Sequence, residues 1–192
     1  YVLAKREPAV LLPSHGPVIA APTQSLTALQ ERLVELIDLR LGVRSGIRER
    51  LAAPFEEVTP HLLRNRVSFA NSHVLLSDSR AALIIDFGYD TAPWQRPLLW
   101  SLDVLMEQFR VETIDAVVTT HYHDDHVAGL NLLRAAKGTE VWSPANVAPV
   151  LEEPHRYDLP CLWPEPIPVD RVLELGTPFT WREHELTALQ FA

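Results

Sequence analysis

Ile114-Asp115-Ala116-Val117-Val118-Thr119-Thr120-His121-Tyr122-His123-Asp124-Asp125-His126 is the stretch on which the reading of this chain turns. Its first half is a run of β-branched and small apolar residues of strand length, the pattern of a strand buried on both faces. Its second half places three histidines and two aspartates within six residues. His121 and His123 are two apart, so in an extended segment both imidazoles leave from the same side and can meet one ion. Asp125 and His126 follow as the chain turns into a helix, where they can serve a second ion nearby. Imidazole and carboxylate suit zinc, and also iron or manganese. A lone histidine is usually an ordinary polar residue, and His61, His73, His155 and His184 are read that way. The clustered set is read as metal ligands. Asp125 is in addition the candidate catalytic group, placed to orient a metal-bound hydroxide and accept its proton. Asp124 receives no assigned role beyond solvation or helix capping.

Outward from this loop, the flanking chain alternates strands with helices. On the N-terminal side, Leu62 to Phe69, His73 to Ser77 and Ala81 to Ile85 read as short strands, the last two joined by the turn Asp78-Ser79-Arg80. A helix is expected over Pro97 to Arg110, with Leu98, Leu102, Leu105, Met106 and Phe109 on one face. On the C-terminal side a helix is expected from Val127 to Lys137, closed by Gly138. A strand at Glu140 to Trp142 follows. Prolines at 154, 160, 164, 166 and 168 make residues 144–168 an irregular surface excursion, with one helical turn near Val147 to Leu151. Arg171 to Leu175, Phe179 to Trp181 and Glu185 to Phe191 read as closing strands. The class is α+β, in layers.

At the loop the chain resembles the metallo-β-lactamase superfamily, whose pattern H-x-H-x-D-H follows a strand. Here it stands as His121-Tyr122-His123-Asp124-Asp125-His126, with the usual glycine pair half present as Ala128-Gly129. Upstream, Ser68 to Leu76 resembles the family's opening strand pair. Leu83-Ile84-Ile85-Asp86-Phe87-Gly88 resembles its strand ending in an aspartate. The resemblance covers residues 60–192. It implies an αββα sandwich with the site where the loops of two sheets meet. It also implies that Asp86 supports the ligand loop from behind, and that the intact site holds two zinc ions. The function implied is a metal-dependent hydrolase acting on a small ester, thioester, lactone or amide. Iron-dependent persulfide oxygenases share the pattern, and a non-catalytic metal-binding module is the third reading. Flavo-diiron proteins fit less well, because their loop carries glutamate where this chain has His123.

The family's site needs further ligands: a histidine after a later strand, a bridging aspartate and a last histidine. The chain stops after the apolar run Leu186 to Phe191 and starts at Tyr1, so it is expected to hold only the N-terminal half of the domain, residues 59–192. Residues 1–58 are expected to form a helical segment plus linker, with Ala9 to Pro13 a short buried strand and a helix from Ser25. Leu26, Leu29, Leu33, Leu36 and Ile37 form its apolar face, and Pro54 to Thr59 reads as the linker. Leu11 to Pro17 resembles the family's final histidine motif. His15 therefore belongs to a preceding similar domain, completes this site by permutation, or is an unrelated loop histidine.

Of 192 residues, 47% are hydrophobic, enough for a real core, and no run approaches a membrane span. Acidic residues outnumber Lys and Arg by 25 to 17, a formal charge of −8. That balance favours a small-molecule substrate over nucleic acid. Cys161 is the single cysteine, read as a small residue at least half buried, and no intrachain disulfide can form. Cysteine usage leans to the cytoplasm. Half a sandwich exposes a sheet face, so the isolated chain is expected to dimerise or aggregate.

Overall fold

A computed structural model describes residues 6, 8–41, 49–89 and 97–190. It divides into two compact units, residues 1–48 and 49–192. In the first, α1 (Pro22–Leu41) is the main element. It starts at Pro22, earlier than Ser25, because proline's fixed φ suits the first helical position. Residues 9–13 are not a buried strand. Leu11 makes one isolated bridge to Ile19, and Val10 and Leu12 are exposed. His15 lies in an exposed bend. Residues 49–52 are helical as well.

The second unit is built on one seven-stranded sheet. Its strands are β1 (Phe55–Thr59), β2 (Leu62–Asn65), β3 (Ser72–Leu76), β4 (Ala81–Ile85), β5 (Thr113–Val118), β6 (Glu140–Pro144) and β7 (Arg171–Leu173), in that spatial order. The first four pair antiparallel and the last four parallel. β8 (Pro178–Trp181) and β9 (His184–Thr187) form a separate antiparallel pair. Residues 55–59, read as linker, are an edge strand. Their side chains are mostly exposed, so no hydrophobic alternation marked them, and pairing with β2 supplies the structure. β2 ends at Asn65, short of Phe69, because the Asn65 side chain accepts the Val67 N–H at 3.0 Å and turns the chain.

Period-two alternation assigns the sheet's two faces. Ala82 and Ile84 pack with Leu98, Leu102 and Leu105 of α2 (Pro97–Gln108) and with Leu130 and Leu133 of α4 (Leu130–Lys137). Ala81 and Leu83 pack on the other face with Trp142, Leu173 and Trp181, which brings in β8 and β9. The register shifts between Ala82 and Leu83 opposite β5, passing over Asp115. Asp115 then meets Arg182 Nε at 2.8 Å and Trp181 Nε1 at 3.1 Å. Partial burial pushes the Asp115 carboxyl up, but hydrogen bonds from Arg182, Thr113 and Trp181 win and hold it below its ordinary value. The expected helix from Val127 to Lys137 is two helices, α3 (Asp124–Val127) and α4, separated by Gly129. Gly138 closes α4 in the left-handed region, φ 70°. Within the excursion, α5 (Ala148–Glu152) and a 3-10 turn at Pro154–Arg156 are the regular elements.

One carboxylate joins two hairpins. Glu183, in the β8–β9 turn, accepts the Asp78 N–H at 2.6 Å and the Ser77 hydroxyl at 2.8 Å in the β3–β4 turn. Those bonds draw its carboxyl down from 4.5 to about 2. A depressed folded-state value stabilises above the unfolded value, and that contribution is lost as pH falls through the folded one. Urea melts of the parent and Glu183→Gln should therefore differ at neutral pH and converge as the pH drops from 4.5 towards about 2. A gap that stays constant across that window would show that the latch does not act through the ionised carboxylate.

Candidate active site

The site grows from the carboxyl end of β4. Asp86 sits there with φ 59°, a left-handed conformation that aspartate tolerates better than most residues, and it is 2% exposed. Its own N–H donates to Val118 O at 3.0 Å, so it lies against the end of β5. Oδ1 accepts the Thr120 N–H at 2.7 Å, and Oδ2 accepts the Thr120 hydroxyl at 2.6 Å and His126 Nδ1–H at 2.7 Å. A buried carboxylate persists only when donors surround it in this way.

These bonds decide the histidine tautomers. Thr120 Oγ1 has one proton, and it goes to Asp86. The contact between Thr120 Oγ1 and His121 Nδ1 at 2.9 Å must then be donated by the imidazole. His121 and His126 are both protonated on Nδ1, so each has Nε2 as the remaining nitrogen for an ion. The rings gather closely: the His121 centroid lies 4.7 Å from that of His123 and 4.1 Å from that of His126. Burial and then the His126 charge push His121 below its ordinary pKa. The Asp86 hydrogen bond lifts His126 above its own. His126 Nε2 stands 3.7 Å from Asp125 Oδ2. Two ligands of one tetrahedral zinc would stand ~3.4 Å apart. The donors fit a metal in kind, and this pair nearly fits in spacing. Among the described residues, however, no group of three histidine, cysteine, aspartate or glutamate side chains is arranged to hold an ion.

The backbone beneath the loop has no room. A Cβ on Gly88 would fall 1.7 Å from Asp125 O, and one on Gly129 would fall 2.6 Å from Phe87 Cδ1 and 2.8 Å from Gly88 O. Phe87 N–H donates to His126 O at 2.9 Å and Gly129 N–H to Phe87 O at 3.0 Å. The segment after β4 thus runs directly under α3. Gly129 breaks the expected helix here because the two backbones meet.

Three contributions had no sequence signal. Thr120 sets the His121 tautomer. Tyr89 donates its hydroxyl to Asp124 Oδ2 at 2.7 Å, and burial followed by that bond lifts the phenol to about 12, so it stays a donor. Asp124, left without a role, also accepts the Asp125 N–H at 2.9 Å, and its own N–H donates to Cys161 O at 2.8 Å. Cys161 is exposed with φ 56°, correcting its reading as at least half buried. Its neighbour Leu162 bridges to His123. The proline-rich excursion is therefore strapped to the loop by backbone bonds between residues far apart in the chain.

Comparison with known proteins agrees with this fold. The metallo-beta-lactamase superfamily model matches residues 65–188. This chain belongs to that superfamily. It is 33% identical over 79 residues to a hydroxyacylglutathione hydrolase of Albidiferax ferrireducens, covering 41% of this chain and 27% of the relative. A metallo-beta-lactamase from Legionella gormanii superposes with a TM-score of 0.57 at 18% identity, covering 71% of this chain and 52% of that one. One from Cronobacter sakazakii superposes at 0.58, with 18% identity and the same two shares, 71% and 52%. The chain thus spans about half the length of the solved relatives and 27% of the curated one.

Gly88→Ala should destabilise the second unit by roughly 3 kcal/mol, since the clash is with backbone and cannot be relieved by a rotamer change. In a thermal melt that is a fall of roughly 10 °C. A melt unchanged from the parent would mean that Phe87-Gly88 and Asp125-His126 are not packed as described.

Proposed function

We propose that the protein is a zinc-dependent hydrolase of a small ester, thioester, lactone or amide, with His121, His123, Asp125 and His126 among the residues that hold the metal and two ions in the whole protein. The observation that carries the reading is the set of three hydrogen bonds on Asp86. They leave Nε2 of His121 and of His126 as ligand nitrogens beside the Asp125 carboxylate. Support also comes from the family and from the name of the Albidiferax relative, a hydrolase of hydroxyacylglutathione.

A divalent cation bound here would supply Lewis acidity and bring the pKa of water towards neutrality. The chain's own part is to present the donors and manage the proton. Asp86 holds His126 and, through Thr120, His121 in the orientation a ligand needs. Asp125, partly exposed at the first turn of α3, can orient the attacking water and accept its proton. Asp124 and Tyr89 hold that turn in place.

Elemental analysis of the purified chain should find zinc, and the double variant His121→Ala/His123→Ala should lose it. Iron in place of zinc would overturn the hydrolase reading in favour of an oxidative one. No uptake by the parent in the presence of added zinc would overturn the ligand assignment for this chain. Asp86→Asn should retain the fold and lower zinc affinity roughly tenfold or more, read by competition with a chromogenic chelator. Unchanged affinity would show that the carboxylate does not orient the ligands.

A further inference from the structure

Away from the histidines, the same edge of the sheet holds a cationic cavity. Residues 66–71 join the end of β2 to the start of β3. His73 pairs with Ile85, so this turn lies at the edge where β4 delivers Asp86. Phe69 N–H donates to Tyr89 O at 3.3 Å, which ties the turn to the segment under the loop. Beside it opens a cavity of about 290 Å³ lined by Arg50, Arg64 and Arg66, with Glu56 as the one acidic residue. Three guanidinium groups against one carboxylate make a positive site in a chain whose formal charge is −8.

Those arginines are weakly used by the fold. Arg64 meets Glu56 only at 3.8 Å, with both side chains more than half exposed, a pair of little energetic weight. Arg66 reaches Ala53 O at 3.4 Å through one Nη1, and its backbone N–H holds Pro54 O at 2.8 Å. Arg50 has no partner among the described residues. On the same wall, Ser68 Oγ is buried with no hydrogen-bond partner, and Asn71 adds an amide at the rim. Guanidinium donors in a planar fork match phosphate and carboxylate oxygens, and several around one cavity reinforce each other.

We infer that this cavity is a binding site for the anionic group, phosphate or carboxylate, of a small ligand held at the same edge as the histidine loop. The site is separate in its residues from the proposed metal ligands and does not require a metal. Isothermal titration of the full chain with inorganic phosphate and, separately, with succinate should show saturable binding that weakens as sodium chloride is raised. The tighter of the two probes identifies the group. Arg50→Gln and Arg64→Gln, whose melts can be checked against the parent, should each weaken binding about tenfold. His121→Ala/His123→Ala should bind the probe as the parent does. Heat that does not saturate, or arginine variants that bind like the parent, would overturn the site. Binding lost with the histidines and kept without the arginines would place the anion on the loop, and would overturn it as well.

Discussion

A carboxylate that is almost wholly buried must be surrounded by donors or be neutral, because its desolvation in an apolar interior costs several kcal/mol. Asp86 meets that condition with the Thr120 N–H, the Thr120 hydroxyl and His126. Each donor lies in the loop or helix directly after β5, whereas Asp86 directly follows β4, so satisfying one charge joins two neighbouring parallel strands at their carboxyl ends. The left-handed backbone of Asp86 then sends Phe87-Gly88 beneath α3, where only glycine fits at 88 and 129. The ring tautomers, the break between α3 and α4 and the depth of the loop all follow from that bond set.

Elsewhere the second unit is held by apolar layers with a few charged latches at its margins. The helices α2 and α4 cover one face of the sheet, and β8 and β9 meet the other. Asp115 and Glu183 fix the β8–β9 pair to β5 and to the β3–β4 turn. Exposed apolar side chains remain on this unit, among them Val58, Phe69, Val172 and Leu189. Surface charge is unevenly placed as well: an acidic chain keeps a cluster of arginines at the edge of the sheet that also carries the loop.

Much of this was legible in residue order. The apolar run 114–118 followed by His121, His123, Asp125 and His126 announced a buried strand and a clustered histidine loop, because strand burial and side-chain clustering along the chain both act over a few residues. Asp86 was legible only through its likeness to a family pattern, since a strand-end aspartate is otherwise a turn residue. The excursion over 144–168 followed from proline alone. The edge strand at 55–59 was not legible, because an exposed strand takes its hydrogen bonds from a neighbour and needs no apolar alternation of its own.

By itself the sequence determined the donor types gathered in the loop and the place of most strands and helices, since propensity, periodicity and residue type are local properties. The tertiary structure alone decided how those donors are oriented. Thr120 as a hydrogen-bond bridge between Asp86 and His121, Tyr89 on Asp124, Cys161 and Leu162 against the loop, and Arg50 beside Arg64 and Arg66 join positions up to 39 residues apart. Such contacts exist only once the sheet has brought strand ends together, because hydrogen bonds and charge pairs depend on distance in space and leave no period in the chain.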